Sequence, residues 1–172
     1  TVDNYGGNAG YKIEYVDKSG IPDGLDVTDD IKAAKVTLNN QGFRYMSKTK
    51  SGHNYPLNPG TYTFSVWTFV EDGYSGGVPS NYLISDSRGY YDTTKLGTWQ
   101  RLKITRNIAA SGNYEIAISL PWSPNSNGTG VIYIALPKLE LGKIATDWTP
   151  APEDIQSQIA DLQAQINALK SS

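Results

Sequence analysis

Alternation of apolar and polar residues with a period of two runs from Tyr11 to about Leu141, and it constrains the fold more than any other feature. Short runs rich in β-branched and aromatic residues are separated by clusters of Gly, Pro, Asn and Asp, which is typical of a sandwich or barrel. The candidate strands are Tyr11–Val16 and residues 34–39, 42–47, 61–70, 99–106, 113–120 and 131–141. The pattern predicts an all-β fold in which two antiparallel sheets pack face to face.

The candidate strand at 61–70 shows the alternation most clearly, because successive side chains on a strand point to opposite faces. One face carries Tyr62, Phe64 and Val66, and the other carries Thr63, Ser65, Trp67 and Phe69. A turn signal, Asn-Pro-Gly at 58–60, precedes the strand. Trp67 and Phe69 are therefore expected on the surface of the sheet opposite to Phe64 and Val66.

Trp67 and Phe69 are candidate ligand-binding residues, because an exposed aromatic ring can stack on the apolar face of a ligand such as a sugar ring. The alternative is that a loop covers both side chains, so that they enlarge the core, as large aromatic residues commonly do. The sequence leaves both interpretations open.

Two long connections, 71–96 and 121–130, interrupt the predicted strands. Loops longer than about 12–15 residues in a compact domain are usually functional or mobile. They carry further candidate ligand-binding residues: Tyr82, Arg88, Tyr90, Tyr91 and Trp122. Two prolines flank Trp122, and the alternative for this residue is that its side chain anchors the loop. Trp99 and Trp148 are interpreted as structural residues at the edge of the core.

The pattern becomes helical after Trp148. A proline-rich linker at 149–152 separates a domain at 1–148 from a helix at 153–172, whose first turn holds two acidic residues. Five apolar residues then recur at alternating intervals of four and three, the period of a coiled-coil seam. They are Ile155, Ile159, Leu162, Ile166 and Leu169. Since an isolated helix of this length is marginal in water, we predict that the seam joins copies of the chain.

The number of copies stays open at this point. Ile at the a positions and Leu at the d positions favours a parallel dimer, and the flanking e and g positions are almost uncharged. The alternative is that the helix folds back onto its own domain. The regular spacing and the proline-rich linker favour projection away from it.

Charge and composition exclude several functions. A net charge of −2 with scattered basic residues provides no footprint for nucleic acid, and no apolar run is long enough for membrane insertion. Cysteine is absent, which excludes a thiolate nucleophile. The only histidine, His53, lies in a polar turn, and the adjacent acidic pairs at 29–30 and 71–72 are interpreted as solvated turn residues. We therefore predict no catalytic residue, no enzyme activity and no cofactor.

Three segments resemble jelly-roll modules of the carbohydrate-binding type found in tail and baseplate proteins of phages that infect Gram-positive bacteria. Residues 136–154 (LPKLELGKIATDWTPAPED), followed by the Gln-rich heptad helix, look like the closing strand and exit linker of those modules. Residues 59–67 (PGTYTFSVW) and 98–105 (TWQRLKIT) are similar to their middle strands. The resemblance implies a two-sheet antiparallel jelly-roll sandwich with a short C-terminal coiled-coil helix.

The same resemblance implies an extracellular place in the virion, in a phage tail or baseplate, and a function in host recognition. Expected partners are a saccharide of the host cell wall or surface, other baseplate proteins, and the chain itself as a homotrimer, with a dimer as the alternative. Related modules hold a structural calcium ion, to which four acidic residues could contribute: Asp3, Asp17, Glu140 and Asp147.

Two other functions are kept as alternatives. The first is a purely structural virion domain that contacts neighbouring subunits. The second is an accessory carbohydrate-binding module of a secreted bacterial polysaccharide enzyme.

Overall fold

The computed structural model describes residues 11–41, 44–46, 54–83, 88–119, 127–147 and 152–170. Ten strands and one helix occur in these ranges. The strands are β1 (Tyr11–Val16), β2 (Ala33–Gln41), β3 (Arg44–Met46), β4 (Asn54–Leu57), β5 (Gly60–Val70), β6 (Ser80–Leu83), β7 (Arg88–Tyr90), β8 (Trp99–Ile108), β9 (Gly112–Ser119) and β10 (Gly128–Leu141). The helix is α1 (Pro152–Lys170), and short 3-10 turns occur at Lys18–Gly20 and Thr93–Lys95.

The strands form two antiparallel sheets. The first sheet has the order β1-β2-β10-β5-β8. In the second sheet β9 pairs with β6, which pairs with β7, while β3 and β4 both pair with β9. The predicted all-β sandwich of two antiparallel sheets with a short C-terminal helix is confirmed.

The core lies between the sheets. The first sheet contributes alternate residues of its central strands, such as Phe64 and Val66 on β5 and Ile132 on β10. The second sheet contributes Leu83 from β6 and Ile116 from β9. Because Phe64 and Val66 face the core, the odd-numbered residues of β5 lie on the outer face of the first sheet, as the alternation predicts.

The interpretation of residues 71–96 as one long loop is wrong. This stretch holds two short strands, β6 and β7, which pair with each other and extend the second sheet. Their length, four and three residues, is too small for a period of two to stand out. The strand β4 was also not predicted, because it contains Pro56, which is normally confined to sheet edges.

Two segments lie across the outer face of the first sheet. The first, residues 17–32, connects β1 to β2 and is here called the covering segment; Trp99 Nε1 donates to Pro22 O in it at 3.0 Å. The second, residues 142–147, follows β10 and is here called the exit arm. Thr63 Oγ1 on β5 donates to Gly142 O of the exit arm at 2.8 Å.

The helix α1 spans most of the predicted region and begins at Pro152. Four residues of its heptad seam are exposed by about half or more: Ile159 at 52%, Leu162 at 58%, Ile166 at 49% and Leu169 at 76%. This part of the seam is therefore not packed on the sandwich. Within the described ranges, no helix has the length and apolar character needed to cross a membrane.

Candidate functional site

A groove of about 740 Å³ lies on the outer face of the first sheet, between the covering segment and the exit arm. It is here called the Trp67 groove. The residues that line it are Gly24, Leu25, Asp26, Val27, Thr28, Asp30, Ile31, Trp67, Leu136 and Asp147. Trp67 comes from β5, an interior strand of the first sheet. Because the covering segment and the exit arm lie across this sheet, the half-buried side chain of Trp67 forms the floor of the groove.

A cluster of aromatic rings supports the sheet next to Trp67. Phe69 lies two residues further along β5, with its ring centroid 5.5 Å from that of Trp99 and 6.0 Å from that of Tyr133. Tyr133 Oη donates to Glu71 Oε1 at 3.1 Å. These contacts pack aromatic side chains of β5, β8 and β10 together on the outer face of the first sheet, beside Trp67.

The covering segment forms one wall of the groove. Val27 and Ile31 are buried and hold the segment on the sheet, while Asp26 and Asp30 remain exposed. Ile31 N donates to Thr28 O at 3.2 Å, and the Thr28 hydroxyl donates to the Asp30 carboxylate. The wall therefore combines an apolar lower part with a rim of carboxylates.

The exit arm forms the opposite wall and is held by charged residues of the sheet. Lys138 Nζ donates to Thr146 Oγ1 and to Asp147 O, each at 2.6 Å. Arg101 donates to Thr146 O, and its Nη1 lies 3.6 Å from Asp147 Oδ1. Thr146 N donates to Glu140 Oε2 at 3.0 Å, and the Thr146 hydroxyl donates to Glu140 Oε1. These bonds place Asp147 at the edge of the groove.

The backbone of β10 is irregular where it meets the groove. The register of β10 against β5 shifts between Ala135 and Lys138, which marks a β-bulge. Within the bulge Leu136 has a φ of 51°, a left-handed conformation that is strained for a residue with a large side chain. Such strain is concentrated at functional sites. The bulge directs Leu136 into the groove lining.

The groove has a negative rim. Three of its lining residues are aspartates, Asp26, Asp30 and Asp147, and among the described residues that line it none is lysine or arginine. Arg101 offsets part of this charge through its ion pair with Asp147. The side chain of Asp147 is otherwise fully exposed, so its carboxylate can contact a ligand.

Three of the predicted ligand-binding residues are buried, and the structure corrects the expectation for them. Tyr82 is 0% exposed and Tyr91 is 2% exposed. The Tyr91 hydroxyl donates to Thr98 O at 2.7 Å and lies 3.0 Å from Lys95 O, so it anchors the chain between β7 and β8. Phe69 is 8% exposed and belongs to the aromatic cluster described above. None of the three presents a ring face to solvent.

Two other predicted residues, Arg88 and Tyr90, lie on β7 of the second sheet and are not brought together with Trp67. Arg88 packs over the Tyr82 ring at 4.9 Å from its centroid and donates to Ser80 Oγ at 3.1 Å. Tyr90 is 60% exposed at the edge of the sheet. Trp122 and Trp148 lie outside the described residues. Of the predicted ligand-binding residues that are described, Trp67 is the one that lines the groove.

The sequence interpretation did not identify the other lining residues as ligand contacts, in particular Leu25, Asp26, Asp30 and Leu136. A signal for them exists. Strands β1 and β2 pair directly, yet residues 17–32 separate them, whereas hairpin loops usually have 2–5 residues. A connection of this length that contains several aspartates indicates a surface feature with its own function.

The described acidic residues that were candidates for calcium have other partners in the structure. Asp17 accepts from Ser19 Oγ at 2.7 Å in a 3-10 turn, and that hydrogen bond is the main cause of its lowered pKa. Glu140 accepts from Thr146 and Lys138, and Asp147 pairs with Arg101. In the described part of the chain no three acidic or histidine side chains lie close enough to hold a metal. Asp3 lies outside it.

The fold and the groove together define a two-sheet antiparallel β-sandwich with an aromatic groove on the outer face of one sheet. No protein-family model matches the sequence, and no curated protein matches it. Among solved structures, the chain is similar to a carbohydrate-binding module of lichenase 5A from Cellvibrio mixtus, solved in complex with cellotriose. The similarity covers 74% of this chain and 87% of that module, at 17% identity and a TM-score of 0.37.

Proposed function

We propose that this domain is a non-catalytic module that binds a saccharide in the Trp67 groove. The observation that carries the proposal is the position of Trp67 on the floor of a groove of about 740 Å³ with apolar walls and a carboxylate rim. Ligand sites typically have a volume of about 300–1,000 Å³ and combine apolar surface with a few polar groups.

A pyranose ring matches both parts of this lining. Its C–H faces are apolar and pack on an aromatic side chain, for which Trp67, Leu25 and Leu136 supply the surface. Its hydroxyl groups are donors, and ionised carboxylates such as those of Asp26 and Asp30 accept hydrogen bonds. A short stretch of a polysaccharide would therefore be bound by stacking and oriented by the rim.

Replacing Trp67 tests this function. We expect Trp67→Ala to weaken binding of a saccharide by about tenfold to a hundredfold, because a buried aromatic contact is worth about 1.5–3 kcal/mol. The matched control is Tyr90→Ala, which removes an exposed aromatic ring from the second sheet. A glycan array followed by titration calorimetry with the best ligand measures the change. Binding that tolerates Trp67→Ala but not Tyr90→Ala would place the site elsewhere.

We further propose that α1 joins copies of the module in a phage tail or baseplate, where the grooves bind saccharides of the host surface. The exposed heptad seam of Ile159, Leu162, Ile166 and Leu169 supports self-association. The resemblance of residues 136–154 to the exit linker of phage modules supports the virion setting. Joined grooves would strengthen binding to a repeated surface by about 10²–10⁴-fold.

Binding of the associated protein to cell walls of Gram-positive bacteria tests this setting. We expect the cell walls to retain the wild-type protein but not the Trp67→Ala variant. If neither the walls nor a glycan array retain the protein, a purely structural virion domain becomes the better explanation.

A further inference from the structure

We infer that Arg101 is a positioning residue of the Trp67 groove: it holds the exit arm in place as one wall, and the affinity of the groove for saccharide depends on that hold. This inference rests on the proposed saccharide function and adds a residue that sets affinity without touching the ligand. Arg101 itself does not line the groove, so it acts through the arm.

The exit arm is anchored to the sheet at two points. The first is Gly142, whose N donates to Thr61 O at 2.6 Å and whose O accepts from Thr63 Oγ1 at 2.8 Å. The second is Thr146, directly before Asp147 on the rim of the groove. The arm between these two points is largely exposed. The position of the wall is therefore determined by the partners of Thr146.

Arg101 reaches Thr146 from the strand β8. Its guanidinium group donates to Thr146 O, and its Nη2 also donates to Ser65 Oγ on β5 at 3.3 Å. Lys138 and Glu140 contact Thr146 from β10, which lies on the other side of β5. Thr146 is therefore held from both neighbours of β5, the strand that supplies the floor of the groove.

The register of the sheet places Arg101 beside Trp67. The two residues pair across β8 and β5, and directly opposite residues have Cβ atoms about 4.5–5.5 Å apart. The side chain of Arg101 is only 21% exposed, so its bonds are screened less than those of surface charges. Its pair with the fully exposed Asp147 contributes little by itself. One guanidinium group therefore links the floor of the groove to its wall.

A saccharide bound between floor and wall requires the arm to be in place. When a binding-competent state is populated for only a fraction of the time, the apparent Kd rises by the inverse of that fraction. Without the guanidinium group, Thr146 would be held from β10 alone. Affinity should therefore fall although no ligand contact has been removed.

Hydrogen exchange of the free protein tests whether Arg101 holds the arm. Thr146 N donates to Glu140 Oε2, so exchange of this amide reports opening of the arm. We expect Arg101→Met to speed this exchange at least about tenfold. The matched control is Lys103→Met, which removes a positive charge from an exposed position of the same strand, outside the groove lining. It should leave the exchange unchanged.

Titration calorimetry tests the effect on binding, with the oligosaccharide that the glycan array retains most strongly. We expect Arg101→Met to weaken binding by about fivefold to tenfold and Lys103→Met to leave it unchanged. Arg101→Lys keeps the charge but lacks the planar fork that bonds several acceptors at once, so it should cause a smaller loss in the same direction. This variant provides the comparison if thermal unfolding shows that Arg101→Met does not fold.

The outcomes separate this inference from the proposed function. If a saccharide binds through Trp67 and both Arg101 variants bind it as tightly as wild type, the inference is wrong and saccharide binding stands. A loss of thermal stability without faster exchange at Thr146 would show that Arg101 supports only the sheet, and this too would overturn the inference. If no saccharide binds at all, both are wrong.

Discussion

Gly76 shows how closely the chain is packed at the level of a single residue. Its φ is +124°, and an added Cβ would lie 2.0 Å from Asn127 O and 2.6 Å from Gly128 Cα. Next to it Ser75 pairs with Thr129, so the backbone cannot move away without breaking this bridge. Only glycine fits at this position.

We therefore predict that Gly76→Ala lowers the free energy of unfolding by more than about 3 kcal/mol. The matched control is Gly73→Ala: φ there is +84°, but an added Cβ would have nothing within 4 Å. In this control the added methyl group meets no other atom, so the free energy of unfolding should fall only by the cost of a positive φ for alanine, about 1 kcal/mol. Urea unfolding of both variants measures the difference, and equal losses would show that the backbone at Gly76 relaxes freely.

At the scale of an element, the exit arm depends on the charged state of Glu140. Burial raises the pKa of the Glu140 carboxyl, but hydrogen bonds from Thr146 and Lys138 outweigh it, and the pKa lies below its ordinary value of 4.5. A carboxyl whose pKa is lower in the folded state stabilises the fold above the unfolded pKa. That stabilisation is lost as the pH falls through the folded pKa.

We predict that Glu140→Gln lowers Tm by a few degrees at neutral pH and that the difference from wild type closes as the pH falls through the lowered pKa of Glu140. The glutamine side chain would keep the shape of the glutamate but would place an amide beside the Lys138 ammonium group. Differential scanning calorimetry between about pH 3 and pH 7 measures the effect. The control Asp23→Asn removes one exposed charge away from the arm, and a difference that persists unchanged at low pH would contradict this account.

At the scale of the whole molecule, the exposed seam of α1 determines whether the chain acts alone. Each seam residue buried against a partner contributes about 1.5–3 kcal/mol. We predict that wild-type protein associates and that the double variant Ile159→Asp, Ile166→Asp weakens association at least about a hundredfold. The control Ala164→Ser changes an exposed residue that lies outside the seam. Sedimentation over a range of concentrations measures the state, and a monomeric wild type would refute self-association through α1.

The sequence predicts the fold well where side chains alternate over long strands. The two faces of β5 follow from its alternation, since a period of two places Trp67 opposite Val66. Burial on the outer face could not be predicted, because it depends on distant segments. Phe69 is covered through contacts with Trp99 and Tyr133, which lie thirty and more residues away in the chain.

The groove was only partly predictable for the same reason. Trp67 was identified from its strand, whereas its neighbours in the groove come from residues 24–31, from a bulge at Leu136 and from the exit arm at Asp147. These come together only when the covering segment and the exit arm fold over the sheet. Tyr82 and Tyr91 were misassigned because their stretch contains strands too short to recognise, and tertiary packing buries both rings.

Asp147 lies both on the rim of the groove and only five residues before Pro152, where α1 begins. A fully extended chain advances about 3.3–3.6 Å per residue, so this tether is at most about 18 Å long. In an assembly whose α1 helices lie parallel, neighbouring groove rims would lie within about 50 Å of one another. If the Trp67 groove binds saccharides as proposed, such an assembly would respond to the spacing of sugars on a surface: dense polymers would engage several grooves at once, and sparse ones would engage a single groove.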